Sequence, residues 1–378
     1  MIDFGLSEEQ EALQRAAREF LAAECPPALV RETAKAADGV PRDLYRKMAE
    51  QGWLGLVVPE AFGGVGLSTL DLALVLEELG RVAAPGPFLS TQLVIAAIAR
   101  AGTAAQKKTW LPRLATGETF GALAYVEEGD RQDAAGIQLS AKKTRDGYRL
   151  SGGKLFVLEA PGADVLLVAA RQKKGVGEPG ITLLLVDRNA PGVRIAPQET
   201  FDLTRRVGEL VLKDVAVPRA ALVGKDGGAW PLLARLLDLA AVGIAADSLG
   251  GAARTLEMAV EYAKTREQFG RKIASFQAMK HLAAEMAAEV EPTRSLVWHA
   301  AYLHDRGGTA AARAAAMAKA RLGDVYSRTA RRSVEMHGGI GFTWEFDLQL
   351  WFKRAMASEL LFGDPAFHRE RVATLEGL

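Results

Sequence analysis

Apolar residues recur at intervals of three and four from Met1 to about Gly117, with breaks at Pro26-Pro27, at Gly63-Gly64 and between Pro85 and Pro87. That period is helical, so residues 1-117 read as an N-terminal α-helical domain. In the opening "MIDFGLSEEQEALQRAAREFL", Leu13, Ala16, Ala17, Phe20 and Leu21 fall on one face of a first helix. From Glu118 to Gly227 the pattern shortens. The runs "GYRLSGGKLFVLEA", "ADVLLVAAR", "GITLLLVDR", "GVRIAPQ" and "GELVLKDVAVP" are β-rich and separated by Gly, Pro, Asp and Asn. Their spacing predicts an antiparallel, barrel-like β domain over 118-227 rather than βαβ units. After Trp230 long Ala- and Leu-rich periodic segments suit a helix bundle over 228-378. Within it, "GGTAAARAAAMAKARLG" reads as a close-packed helix rather than low complexity. The predicted fold class is α+β, in the order helix, sheet, helix.

Composition narrows the function. A chain of 378 residues, 49% hydrophobic and 25% charged, is globular and long enough for two or three packed domains. No run approaches the roughly 18 apolar residues of a membrane span. The net charge of +1 gives no concentrated basic field, so nucleic acid is not an expected partner. The five histidines lack paired metal-ligand spacing, and no metal is predicted. One cysteine, Cys25, excludes an internal disulfide and fits a reduced compartment. The start is acidic and helical rather than basic and apolar, unlike a signal peptide, and a cytoplasmic location is expected.

Two stretches carry candidate chemistry. "YAKTREQFGRK" ends a helix, with Arg266 in its last turn and Gly270 suited to a left-handed C-terminal cap. The structural reading is a basic helix end favoured by the dipole. The functional reading is that Arg266, Gln268 and Phe269 offer a phosphate partner, a polar contact and an aromatic face to one nucleotide-like ligand. "EMHGGIGFTWE" places Gly338, Gly339 and Gly341 between two helices, where main-chain N–H groups can approach phosphate oxygens.

Taken with their order and spacing, these stretches resemble the acyl-CoA dehydrogenase family, and the resemblance covers nearly the whole chain. It is carried by "GWLGLVVPEAFGGVGLSTLDLALVLEELGR", "KKTWLPRLATGE", "LKDVAVPRAALVG", "REQFGRKIASFQ" and "HGGIGFTWE". The resemblance implies an α-helical domain, a β domain and a C-terminal four-helix bundle. It also implies FAD between the β domain and the bundle, completed by a neighbouring subunit. In such enzymes a carboxylate takes the α-proton of an acyl-CoA while the β-hydrogen leaves as hydride to the flavin, which supplies the electron sink. By resemblance, Arg266 and Phe269 contact the FAD of a partner chain, and Gln277, Gly338 and Gly339 complete its site.

The chain departs from the family pattern at several flavin contacts. Where members carry Thr-Glu-Pro and then Gly-Ser-Asp, this chain reads "YVEEGDRQDAAGI", with Val126 for the threonine and Gln132 for the serine. The Trp-Ile-Thr run is replaced by Phe156, Val157 and Leu158, which removes a hydroxyl near flavin N5. Glu335 stands where a glutamine commonly faces the cofactor, and a carboxylate there needs an arginine partner. Counting from "GGIGF", the usual catalytic glutamate falls at Phe362, followed by Gly363. The alternative site of branched-acyl members falls near Ala240, with Asp238 two positions away. The candidate base is therefore Asp364, two residues past Phe362, against the reading that "D-P" caps the next turn. Glu359 is a weaker candidate on the preceding helix.

The residues support two main expectations. One is an FAD-dependent acyl-CoA dehydrogenase subunit acting on a bulky, cyclic or branched acyl group, in a homo- or heterotetramer, with electron-transferring flavoprotein as acceptor. The other is a silent homologous partner that completes an active chain's flavin site. A flavin acyl-CoA oxidase is a third reading that sequence does not separate.

Overall fold

A computed structural model of the chain describes residues 5–378. Six helices come first: α1 (Glu8–Glu24), α2 (Pro27–Thr33), α3 (Arg42–Glu50), α4 (Thr69–Arg81), α5 (Phe88–Ala101) and α6 (Ala104–Ala115). Three of them start at reciprocal capping boxes, Ser7 with Gln10, Ser68 with Asp71 and Thr103 with Gln106, which satisfy main-chain N–H groups the first turn leaves unpaired. Of the α1 face anticipated from the sequence, Ala17 and Leu21 are buried and Leu13 and Phe20 half-buried, while Ala16 is exposed.

Eight strands follow: β1 (Gly121–Ala124), β2 (Ser140–Lys143), β3 (Gly147–Leu158), β4 (Val165–Arg171), β5 (Ile181–Asp187), β6 (Val193–Gln198), β7 (Val207–Pro218) and β8 (Leu222–Val223). They form one sheet in the order β6-β7-β3-β2-β4-β5-β8, with β1 added on β4. The sheet is not wholly antiparallel: β1 runs parallel to β4, and β2 meets β4 in parallel at Ser140 and Arg171. The parallel pairings arise because β1 and β4 are joined through the intervening β2–β3 hairpin rather than by a tight turn. Alternate residues divide between two cores. Leu123, Tyr125, Val165, Leu167, Leu183 and Leu185 pack with the helices, while Ala122, Ala124, Leu166, Val168, Leu184 and Val186 pack with β3 and β7.

The last region holds α7 (Trp230–Thr265), a two-stranded hairpin of β9 (Glu267–Gln268) and β10 (Arg271–Lys272), then α8 (Gln277–Arg306), α9 (Gly308–His337), α10 (Leu348–Leu360) and α11 (Pro365–Glu376). Helices α7 to α10 form the bundle, and α11 lies on α9. Two local expectations are corrected here. Arg266 is the residue after α7, in extended conformation, rather than part of the last turn. Gly270 does not cap the helix; with Phe269 it makes the two-residue hairpin turn, both at positive φ (73° and 54°), the conformation such hairpins need.

A buried ionic network joins all three regions. The Arg354 guanidinium on α10 reaches Asp247 on α7 (Nε to Oδ1, 3.0 Å), Thr204 Oγ1 before β7 (2.7 Å) and the Ala84 carbonyl after α4 (3.1 Å). Arg205 Nη2 donates to the same Asp247 Oδ1 at 2.6 Å, and its Nη1 donates to Ser358 Oγ at 2.7 Å. Removing one member strands a buried charge, typically at a cost of about 3–5 kcal/mol.

Candidate active site

A cavity of about 680 Å³ opens between the sheet and the bundle. Its sheet wall is the end of β1 with Tyr125 and Val126, the end of β3 with Phe156 and Leu158, and the segment 199–207. Its bundle wall is the C-terminal end of α10 and the turn 361–364 leading into α11. Three of the predicted residues, Val126, Phe156 and Leu158, therefore share one wall, facing Phe362 and Asp364 across the space.

The turn explains itself from the sequence. Phe362 and Gly363 both have positive φ (58° and 97°), so the chain reverses sharply before Pro365 starts α11. Glycine adopts this readily, whereas an aromatic residue does so at a cost on the order of 1 kcal/mol. The Phe362 ring lies parallel to that of Tyr125, with 5° between planes and 6.0 Å between centroids. Tyr125 is fixed in turn, donating its hydroxyl to Gln132 Oε1 at 2.5 Å, and burial pushes its ionisation well above the ordinary value.

Asp364 caps α11: its Oδ1 accepts from the Phe367 N–H at 2.7 Å, while the residue stays exposed at the cavity rim. Glu359 points away, accepting from Ser327 Oγ on α9. At the alternative position Ala240 is buried, and Asp238 is paired with Arg371 at 2.6 Å. Burial raises the Asp238 carboxyl and Arg371 opposes the rise. Glu335 is exposed at the end of α9, with no arginine partner among the described residues.

The remaining predicted residues gather elsewhere. Arg266, Gln268, Phe269, Gln277, Gly338 and Gly339 lie where α7 ends, α8 begins and α9 ends, above a small core of Ala259, Ala263, Ile273, Met286 and Met336. None of the six lines the cavity. Phe269 is 91% exposed, touching Phe276 edge-on at 6.0 Å, and side chains added at Gly338 and Gly339 would meet nothing within 4 Å. This end of the bundle presents an arginine, an aromatic face and open main chain to the outside.

Whether a flavin ring fits the cavity wall turns on hydrogen-bond donors. Val126 and Leu158 have none in their side chains. The N–H of Leu155 is bonded to the Val126 carbonyl at 2.9 Å, and that of Phe156 to Gln198 Oε1 at 2.9 Å. The side chains of these residues offer apolar surface and the Leu155 and Phe156 N–H groups are taken, so a flavin here would meet mainly apolar contact, with the Val126 N–H, which has no acceptor among the described residues, as a main-chain donor on this wall.

Several groups here give no signal in the sequence. Lys319, 1% exposed on α9, donates from Nζ to the carbonyls of Glu359 (3.0 Å) and Gly363 (2.7 Å), and burial lowers its pKa to about 7. His368 Nε2 donates to the Phe362 carbonyl at 3.0 Å, and burial with the neighbouring Lys319 charge lowers it to about 3. Glu159, 2% exposed and in left-handed conformation (φ 58°), sits under Leu158 beside a void of about 30 Å³ lined also by Tyr45, Arg205, Asp247 and Arg354. Burial raises its carboxyl to about 8 against the pull of Arg205, and Oε2 has no partner. A spacing rule finds none of these, because their hydrogen-bond partners are main-chain groups, which no side-chain pattern registers.

The architecture and its sequence can be compared with known proteins. Models of the acyl-CoA dehydrogenase N-terminal, middle and C-terminal domains match residues 7–118, 122–215 and 227–375. An acyl-CoA dehydrogenase of Bacillus subtilis is 33% identical over 374 residues, 96% of this chain and 97% of that one. The chain belongs to the acyl-CoA dehydrogenase family.

Acyl-CoA dehydrogenases of known structure share its fold. The steroid acyl-CoA dehydrogenase Tcur3481–Tcur3483 superposes with a TM-score of 0.88 at 32% identity, covering 98% of each chain. PigA, solved with FAD and proline, gives 0.92 at 26% identity over 100% of each chain. The CarC subunit of the caffeyl-CoA reductase–Etf complex of Acetobacterium woodii is 29% identical over 352 residues, 92% of each chain. The family's cofactor is FAD, and its members are oxidoreductases.

Proposed function

We propose that this chain is one subunit of an FAD-dependent acyl-CoA dehydrogenase that introduces an α,β double bond into an acyl-CoA thioester, and that it serves chiefly to complete the flavin site of a homologous partner. The observation that carries the reading is the Phe362 ring, parallel to Tyr125, at the turn position the family reserves for its proton-abstracting glutamate. Phenylalanine has no proton to take or give. Asp364 spends one oxygen on the α11 cap, and Val126, Phe156 and Leu158 bring no side-chain donor to a flavin edge.

The bundle end fits the complementary role. Arg266, Gln268, Phe269 and Gln277 project outward, beside Gly338 and Gly339, with no acceptor for the Arg266 side chain among the described residues. They suit the pyrophosphate and adenosine portion of an FAD held mainly by the next subunit. The side chains of Val126, Phe156 and Leu158 would give a flavin ring only apolar contact in this chain's own cavity.

The likeness to a steroid acyl-CoA dehydrogenase favours a bulky, ring-bearing acyl group and a heterotetramer. The relative from an Etf complex favours electron-transferring flavoprotein as acceptor. Buried, unpaired Cys25 accords with a reducing compartment, and we place the assembly in the cytoplasm. No helix among the described residues is long and apolar enough to cross a membrane. The test is acyl-CoA-dependent dye reduction by the purified chain with added FAD, alone and after mixing with its partner. Turnover only in the mixture supports the reading; turnover by the chain alone overturns it and returns Asp364 as the carboxylate to examine.

A further inference from the structure

A second cavity, of about 280 Å³, lies between the N-terminal helices and the bundle and shares no lining residue with the first. Helices α4, α5 and α7 give it an apolar floor that includes Leu72, Ala99, Leu232 and Leu236. Its polar residues are Thr69 at the start of α4, Arg100 in the last turn of α5, Arg235 in α7, and His304 and Asp305 at the end of α8. A few polar groups converging over apolar walls is the composition of a ligand pocket, and a volume near the lower end of the usual range of roughly 300–1,000 Å³ suits a small molecule.

These polar groups differ in how far they are satisfied. Asp305 gives both oxygens to Thr69, Oδ2 accepting from its N–H at 2.9 Å and Oδ1 from its Oγ1 at 2.5 Å. Arg235 Nη2 donates to the His304 carbonyl and, at 3.2 Å, to that of Asp305, while any Cβ at Gly307 would collide with Nη1. The guanidinium is thus fixed in place, yet no carboxylate among the described residues forms an ion pair with it. Arg100 makes neither a hydrogen bond nor an ion pair among them. A cation at the end of α5 has a structural reading, since the helix dipole favours it. That reading does not cover Arg235, whose pKa is lowered by burial and then by the neighbouring Arg100 charge. His304 is 7% exposed, and neither ring nitrogen has a partner among the described residues. A buried polar ring of this kind costs free energy until something supplies a partner. Burial and the Arg235 charge lower His304 to about 4, so near pH 7 it is a neutral ring with one N–H to donate.

We propose that this cavity is a second ligand site, which takes a small aliphatic monocarboxylate whose head group bridges Arg100 and Arg235 beside the His304 ring and whose chain lies on Ala99, Leu232 and Leu236. Two guanidinium groups without an anion select an oxyanion, and they bind a carboxylate through charge-assisted hydrogen bonds. The floor selects an alkyl body, which inorganic phosphate lacks. Asp305, at the edge of the same cavity, opposes a dianion more strongly than a monoanion. The bound acid would tie α5 to α7 and so the N-terminal region to the bundle. Nothing in this site depends on whether the first cavity holds flavin or a base.

The experiment titrates hexanoate, hexan-1-ol and inorganic phosphate calorimetrically into the purified full chain at about pH 7.5, where the acid is ionised. Hexanoate should bind roughly tenfold or more tightly than hexan-1-ol, which keeps the chain without the charge, and than phosphate, which keeps charge without the chain. Arg100→Gln should weaken hexanoate roughly tenfold, the contribution of one charge-assisted hydrogen bond. Ala99→Phe, which fills the floor and leaves the charges alone, should abolish binding. Neither residue lines the first cavity, and Arg235 is left in place because it also holds the end of α8. Hexanoate that fails to bind, that binds no more tightly than the alcohol or phosphate, or that binds either variant as tightly as the parent overturns the proposal. Retained affinity in the variants would put the acid elsewhere in the chain. If Ala99→Phe fails to fold, Arg100→Gln, at an exposed position, decides together with the ligand series.

Discussion

Phe362 stacks parallel on Tyr125 across the mouth of the cavity, joining the α10–α11 turn to the end of β1. Substituting Phe362 with leucine removes the aromatic contact and should lower stability by about 1 kcal/mol, read as a lower melting temperature. Phe362→Glu supplies a carboxylate but no flavin donors, and dye reduction by the isolated chain should stay at background. Recovered turnover would mean that the wall holds flavin after all.

Asp364 acts through its cap. Asp364→Ala should destabilise the chain by about 1 kcal/mol, and Asp364→Asn by less, since the amide oxygen still accepts from Phe367 N–H. Neither should alter turnover of the assembled enzyme. Abolished turnover in Asp364→Asn, with flavin and acyl-CoA binding intact, would establish Asp364 as the base.

Glu159 should make stability fall with rising pH. Its folded pKa, about 8, lies above the ordinary carboxylate value of 4.5, so between these limits the folded chain keeps a proton that the unfolded chain releases. Stability from this group is full below the unfolded value and is lost as pH rises toward about 8. Glu159→Gln cannot ionise, so the melting temperature of the variant relative to the parent should climb across that window. A constant difference would show that Glu159 does not titrate there.

Much of the fold was legible in the sequence, because long helices such as α7 and α9 repeat their apolar positions at the helical period and the strands are short β-rich runs set off by Gly, Pro, Asp and Asn, although β4 and β5, buried along almost their whole length, show no alternation. Less of the site was legible. Gly270 illustrates the limit: helix cap and hairpin both need positive φ, and only the pairing of Glu267 and Gln268 with Lys272 and Arg271 separates them. Lys319 sits in an alanine-rich helix, where a lysine ordinarily faces solvent, and its burial follows from carbonyls 40 and 44 residues away. The network joins Arg205 of the β region to Asp247 and Arg354 on two helices of the bundle, more than 40 residues apart in sequence, so each member alone looks like a surface charge.

On the proposed reading, Arg266 serves a neighbour's flavin. In the assembled enzyme Arg266→Ala should lower flavin occupancy while leaving the melting temperature of this isolated chain unchanged, because the side chain is exposed beyond the end of α7. Equal occupancy in variant and parent would count against the shared site.

The most direct measurement is flavin per polypeptide in this chain purified alone, from visible absorbance after denaturation. With no side-chain donor from Val126, Phe156 or Leu158 on the wall, the account predicts little or no flavin in a folded protein. A content near one flavin per chain would contradict the partner-subunit account, because the chain would then hold the cofactor without a homologous neighbour.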